Sequence, residues 1–437
     1  MIGFLGLLAS LILLIVLTMR GMNLLIAAPL SAFLLAIVGG IPLFPQLAEA
    51  DEDSFVGTYM EGFAGFVASW FLMFLLGAIF GKVMEDSKSA ASVAAWLTRK
   101  LGAKFALVSV IGACAVLTYG GVSLFIVGFT VFPLALSLFK LAGYPRRFIP
   151  AALAFGSVTF TMTSAGSPEI QNWIPMEYLG TTPYAGWQVS LIVAILMAIC
   201  GYFLLYFLIK RAVARGESFE SRAGDPKEYS GPLPNPALSI FPLLTVLILS
   251  FIFHDSLGTS ALVIALTGGI AVTWILNHRY MSSFWMAASE GTTSALLAIA
   301  NTAAVVGFGA IARATPAFHD AVDVMTSVPG DPLVGGAVAV VVIVALTGSA
   351  SGGLTIALPI LGPQYIDAGV NPEALHRVST LSSGALDSLP HGGYTVTTIR
   401  VICGETHKTA YMPIFWVTVL VPTIGVALAV ALFSIGL

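Results

Sequence analysis

Residues 105–141 read FALVSVIGACAVLTYGGVSLFIVGFTVFPLALSLFKL, two apolar runs hinged on Thr118-Tyr119-Gly120-Gly121-Val122-Ser123. As a helix, the first run, Phe105 to Thr118, rises about 21 Å at ~1.5 Å per residue, short of the ~30 Å of a hydrocarbon layer. A short apolar arm, a Gly/Ser turn and a second arm together predict a re-entrant hairpin. Irregular backbone at membrane depth survives only where protein or a water-filled cavity satisfies it, so the tip is a candidate binding site. The same residues also read as a tight turn between full helices, with small side chains serving helix packing. The plan repeats over 334–369, where Thr347-Gly348-Ser349-Ala350-Ser351-Gly352-Gly353 follows another short apolar arm.

The rest of the chain has the composition that surrounds such hairpins. Of 437 residues 57% are hydrophobic and 9% charged, against roughly 25% charged in soluble domains. Around the hairpins, apolar blocks near 2–19, 23–44, 62–81, 147–165, 187–209, 237–253, 258–277, 291–312, 376–393 and 411–434 predict an all-α polytopic membrane protein in a lipid bilayer. The first block has no basic leader and is read as a retained span. Between Lys82 and Leu101, Trp96, Arg99 and Lys100 suggest a segment lying in the interface. Cys114, Cys200 and Cys403 have no metal-ligand spacing and read as small buried hydrophobes.

The polar stretch 210–236 divides the chain into 1–209 and 237–437. With Arg20 inside, every Lys and Arg except Arg313 and Arg377 falls on the cytoplasmic side. Both termini are then external, as are Glu49, Asp51, Glu52, Asp53, Glu169 and Glu177. Each half crosses an odd number of times, about five, plus a re-entrant hairpin, so the halves are inverted repeats. Glu61-Gly62 and Gly77-Ala78-Ile79 recur as Glu290-Gly291 and Gly309-Ala310-Ile311. Pro133, Ala142-Gly143 and Pro145 recur as Pro359, Ala368-Gly369 and Pro372.

Each hairpin precedes a helix with a predicted break, at Thr163-Ser164-Ala165-Gly166-Ser167-Pro168 and at Asp387-Ser388-Leu389-Pro390-His391-Gly392-Gly393. Half-helix N-termini offer free N–H groups that favour an anion, so two tips and two breaks could converge on one carboxylate. Ordinary proline kinks are the other reading, most of all for the first break. The candidate substrate-binding residues at the tips are Gly120, Gly121, Ser123, Ser349, Ser351, Gly352 and Gly353. Those at the breaks are Ser164, Gly166, Ser167 and Ser388. Asn301 and Thr302, mid-span, either face the cavity or bridge helices. Asp387 lies ten residues from Arg377 and thirteen from Arg400, near the midplane, where a charge is a functional candidate. Asp387 and His391 are the proton-coupling candidates, although a buried histidine that only hydrogen-bonds is the alternative for His391.

No enzyme signature is present: Gly77 to Lys82 lacks the spacing and hydroxyl of a P-loop, and there is no H-E-x-x-H or nucleophile elbow. No cofactor, metal or nucleic-acid partner is expected. The run Ser383 to Gly393, continued by Cys403-Gly404-Glu405-Thr406-His407-Lys408, resembles the gluconate permease (GntP) family, nearest to members described as hydroxybutyrate permeases. The resemblance implies inverted repeats, two re-entrant hairpins, homodimers, elevator-like movement and proton-coupled uptake of small hydroxy- or keto-carboxylates. The Ser-Asn-Thr hairpin motif of the sodium-coupled branch of the wider superfamily is absent, which makes sodium less expected than protons. The spans hold no deep Lys or Arg to neutralise a second substrate charge. The resulting expectation is a proton symporter of a small monocarboxylate, such as a hydroxy acid or gluconate-like acid, in a bacterial inner membrane. A sodium-coupled symporter and a passive anion channel are the alternatives.

Overall fold

The computed structural model describes residues 2–20, 22–47, 53–101, 105–223, 225, 229–318, 320, 331–390 and 392–437. Among them every regular element is helical. Seven of these helices are long and apolar enough to cross a membrane, and Leu5–Thr18, Leu24–Gly39, Ala106–Tyr119 and Pro332–Ala345 are apolar but shorter. Their outer faces are oily. Phe203, Phe207, Phe251 and Ile252 are each more than half exposed, a surface that water penalises and lipid accepts.

Two long helices form the axis of the fold. Phe55–Asp86 starts where Ser54 Oγ accepts the Gly57 N–H at 3.2 Å, and Phe284–Arg313 where Ser283 Oγ accepts that of Met286 at 3.4 Å. Their 32 and 30 residues correspond to about 48 and 45 Å, so the expected span 62–81 covers only the middle of the first and 291–312 all but the first seven residues and the last of the second. The charged ends, with Glu61, Lys82 and Glu290, continue the same helices. A Cβ on Gly62 would stand 2.7 Å from the Ala310 Cβ, and one on Gly291 2.7 Å from the Ile79 Cα. Because 62 meets 310 and 291 meets 79, the pair is antiparallel. The crossing is made by the very residues that match between the two halves.

The first hairpin comprises Ala106–Tyr119 and Leu124–Ala142, the second Pro332–Thr347 and Ala350–Asp367. Behind the first hairpin, Ile149–Ala154 widens into a π-helical segment, Phe155–Met162, and stops at Thr163. A short helix, Ile174–Leu179, follows before the span Trp187–Ala214. Behind the second, Pro372–Ala385 ends at the break, and Gly393–Val396 widens into π-helical Thr397–Ile402. A third π segment, Trp416–Leu420, lies inside the last span. There Val417 O accepts the Thr159 hydroxyl at 2.8 Å, a carbonyl taken up by a neighbouring helix.

One expectation needs correction and one a refinement. Arg377, assigned to the external side, is fully enclosed by protein, because its acceptors come from a loop of the first half that covers it. Cys200 is exposed on the outer face of Trp187–Ala214, whereas Cys114 and Cys403 are buried. A small thiol costs little against lipid.

The stretch 210–236 is also less free than its polarity suggests. Helix Trp187–Ala214 takes its first residues, and Glu217 then pairs with Arg147 at 2.6 Å. Buried Glu405 accepts from Arg146 at 3.0 Å and Arg222 at 2.8 Å, while Arg146 also reaches Asp225 at 2.8 Å. The Arg147 hydrogen bond holds Glu217 below the usual carboxylate range. Burial pushes Asp225 up, but bonds from the Arg222 backbone and the Arg146 guanidinium outweigh it, and the net shift is downward.

Candidate functional site

The second hairpin tip and the second break meet through one charge. Gly348 ends the first arm in the left-handed conformation, φ +63°, and Ser349 caps the second, its Oγ accepting the Gly352 N–H at 3.2 Å. The Ala350 N–H donates to Asp387 Oδ1 at 2.8 Å. A carboxylate thus sits at the positive end of a helix dipole, the position that favours an anion. Ser351 Oγ lies 3.4 Å from Ser349 Oγ. Thr302 approaches the tip, its Cγ2 being 3.6 Å from a Cβ on Gly352. Beside it, Asn301 Oδ1 is buried with no hydrogen-bond partner among the described residues, as is Ser388 Oγ next to Asp387. The structure therefore brings together Asn301, Thr302, the 349–353 tip and Asp387-Ser388. His391 lies outside the described residues.

The first break is built differently. Ser164 Oγ donates to Phe160 O at 2.6 Å, the Gly166 N–H to Pro183 O at 2.9 Å and the Ser167 N–H to Ser164 O at 3.0 Å. Asn172 and Trp173 donate to Ser167 O at 3.3 and 3.1 Å. Arg377 clamps this loop. Its Nε donates to Ala185 O at 2.9 Å, Nη1 to Thr163 O and Asn172 Oδ1 at 2.8 Å each, and Nη2 to Pro183 O at 3.2 Å. Four of the guanidinium's five N–H groups are thereby engaged. Ser164, Gly166 and Ser167 are committed to this internal net and offer few groups to a ligand.

The first hairpin tip leans on the same loop, Tyr119 OH donating to Ala165 O at 2.7 Å. Gly121 has φ +89°, which an L side chain rarely adopts. A Cβ on Gly120 would fall 2.8 Å from Leu243, and one on Gly353 only 2.4 Å from Val344 of its own hairpin. Close packing is thus one reason for glycine at both positions. Ser123 makes no side-chain cap, so the second arm of this hairpin starts without one.

Both tips and both broken helices nonetheless converge. Ala154, Val158 and Met162 of the first broken helix, Ala350 of the second tip and Tyr394 of the second broken helix form one buried cluster, and Leu124 and Phe125 of the first tip pack on it. Gly384 also touches Thr163, a Cβ there standing 3.0 Å from its Cγ2. Reading the residues alone missed Arg377, Tyr119, Ser157, Tyr394 and Thr398. Only the hydroxyl-rich run after the second break, Tyr394-Thr395-Val396-Thr397-Thr398, carried a signal that could have found any of them.

Membrane-length helices, short-armed hairpins and helices interrupted where the hairpins meet define a multi-pass membrane transporter. The chain belongs to the GntP permease family. The family model described as "GntP family permease" matches residues 2–253. A Bacillus subtilis (strain 168) protein, "Uncharacterized transporter YxjC", is 35% identical over 463 residues, with 95% of each chain covered. Among solved structures, the Alcanivorax borkumensis YdaH transporter, whose crystal structure is described as revealing an unusual topology, superimposes with a TM-score of 0.59. That match covers 100% of this chain and 99% of the other at 16% identity, a likeness of fold.

Proposed function

We propose that this permease is a proton-coupled symporter of a small organic monocarboxylate, working by elevator-type alternating access between two inverted repeats, 1–209 and 237–437. The observation that carries the proposal is the bond from the Ala350 N–H to Asp387. While ionised, Asp387 occupies the anion position at the tip. Protonation removes its charge and weakens its claim on that N–H, and a substrate carboxylate takes its place. One anion replaces another, and one proton accompanies each substrate. Entry of an anion into a negative-inside cell costs about 2.3 kcal/mol per charge per 100 mV, which the co-transported proton offsets.

The reciprocal crossing of Gly62 and Gly291 supports reading the halves as inverted repeats. Arg377, though buried, spends its N–H groups on carbonyls and Asn172, so a singly charged substrate still fits best. In this reading the protein lies in the bacterial inner membrane with both termini outside, and it functions as a homodimer.

The test is uptake by proteoliposomes, with gluconate and 3-hydroxybutyrate as probes. Under an imposed pH gradient the wild type accumulates a probe above equilibrium. Asp387→Asn, which mimics the protonated form, retains exchange but loses gradient-driven accumulation. Unchanged accumulation by the folded variant would remove Asp387 from coupling and turn attention to sodium.

A further inference from the structure

The span Trp187–Ala214 ends in a basic corner at the depth of the lipid headgroups. Trp187 is exposed at its start and Tyr206 half-buried near its end. From one to the other the helix rises about 29 Å at ~1.5 Å per residue, the thickness of the hydrocarbon layer, and amphipathic rings mark both edges of that layer. Between them Phe203 and Phe207 are more than half exposed, a face for acyl chains. Lys210 and Arg211, both exposed, follow Phe207 by three and four residues and so continue the same face one turn beyond Tyr206.

The Lys210 ammonium is held in place. Its Nζ lies 5.4 Å from the centre of the Tyr206 ring and 5.9 Å from that of Tyr144, within cation–π range. Tyr144 packs edge-on against Phe139 at 5.6 Å, and its phenol has those of Tyr206 and Tyr202 as neighbours. This packing brings the end of the first hairpin, with exposed Lys140 and Leu141, to the same corner. Nearby arginines are already paired: Arg147 with Glu217, and Arg146 and Arg222 with Glu405. Lys140, Lys210 and Arg211 make no ion pair among the described residues. Their charge is left uncompensated where the apolar face meets water.

We propose that Lys140, Lys210 and Arg211 bind the phosphate of an anionic phospholipid whose acyl chains lie along Phe207 and Phe203. Basic residues at the end of a span attract anionic headgroups. A lysine that merely snorkels to water selects none, whereas one fixed between two rings loses less freedom when a phosphate arrives. A soluble phosphate would meet the same charges but leave the phenylalanine face unused, so the ligand is the lipid.

The test is thermal unfolding of the purified protein in a neutral detergent, titrated with short-chain phosphatidylglycerol or phosphatidylcholine. Phosphatidylglycerol should raise the melting temperature saturably and phosphatidylcholine should not. Lys210→Gln should raise the half-saturating concentration about fivefold, and Lys210→Arg should leave it near the wild-type value. Lys140→Gln, at an exposed helix end, supplies a second variant should Lys210→Gln fail to fold. Arg279→Gln, which removes an exposed charge at the end of another span, should change nothing. Glycerol 3-phosphate and inorganic phosphate should give no stabilisation. Equal shifts with the two lipids, an unchanged half-saturation in Lys210→Gln, or the same weakening in Arg279→Gln overturns the site. Stabilisation by the soluble phosphates equal to that by phosphatidylglycerol overturns the lipid as its ligand.

Discussion

The two hairpins share a plan and differ at the start of their second arms. Ala350–Asp367 begins under a capping Ser349 and a titratable carboxylate, Asp387, borrowed from the neighbouring break. Leu124–Ala142 begins with no side-chain cap, and its neighbouring break is locked into a net of backbone bonds by the Arg377 guanidinium. In the proposed mechanism the first half is the fixed wall of the site, and the proton response belongs to the second tip, which carries Asp387.

That contrast can be broken at its anchor. Arg377→Leu should produce the largest effect, since it removes four hydrogen bonds to buried acceptors, and the loss should be at least about 3 kcal/mol of stability. Thermal unfolding of the purified protein measures it. Wild-type stability in this variant would mean that the first break does not depend on its clamp.

The ion pairs that hold the 210–236 stretch rank next. Glu405→Ala leaves Arg146 and Arg222 without their shared buried acceptor, at an expected cost of about 3 kcal/mol. Glu217→Gln at the more exposed pair should cost about 1 kcal/mol or less. Because the folded-state pKa of Glu217 is lowered, its contribution is present above the unfolded value of about 4.3 and disappears as pH falls through the folded one. Melting curves of wild type and Glu217→Gln should therefore differ by a constant amount from about pH 5 to 8 and converge below about pH 4. A difference that grew on acidification would contradict the assignment.

The smallest expected change sharpens the comparison most. Tyr119→Phe removes one bond between the first tip and the clamped loop, worth about 1 kcal/mol. It should raise the labelling rate of a cysteine placed at Ser123 and leave one placed at Gly352 unaffected. Equal responses would show that the two tips move as one.

How far these features could be read from the sequence depends on where the contacts come from. Hairpins and breaks were legible because Gly and Ser interrupt apolar runs at Gly120-Gly121 and at Ser349 to Gly353, and Asp387 because a charge in an apolar helix is conspicuous. Arg377 was not, since its partners Thr163, Asn172, Pro183 and Ala185 lie 192 to 214 residues away and no local pattern encodes them. The pairing of linker residue Arg222 was hidden too, because the buried acceptor it shares with Arg146 is Glu405, far along the chain. The π segments around Ser157 and Thr398 arise from packing between helices, and neither composition nor periodicity marks them.

The measurement closest to the central claim is the pH dependence of access to the second tip. In a cysteine-free background, Gly352→Cys introduces a thiol whose Cβ has no neighbour nearer than 3.3 Å. Its maleimide labelling rate is measured across pH with and without Asp387→Asn, and the ratio of the two cancels the chemistry of the reagent. The expected result is slow labelling at alkaline pH with Asp387 present, rising toward the Asp387→Asn rate on acidification as the carboxylate releases the Ala350 N–H. A ratio that stays constant across pH would contradict a proton-operated tip.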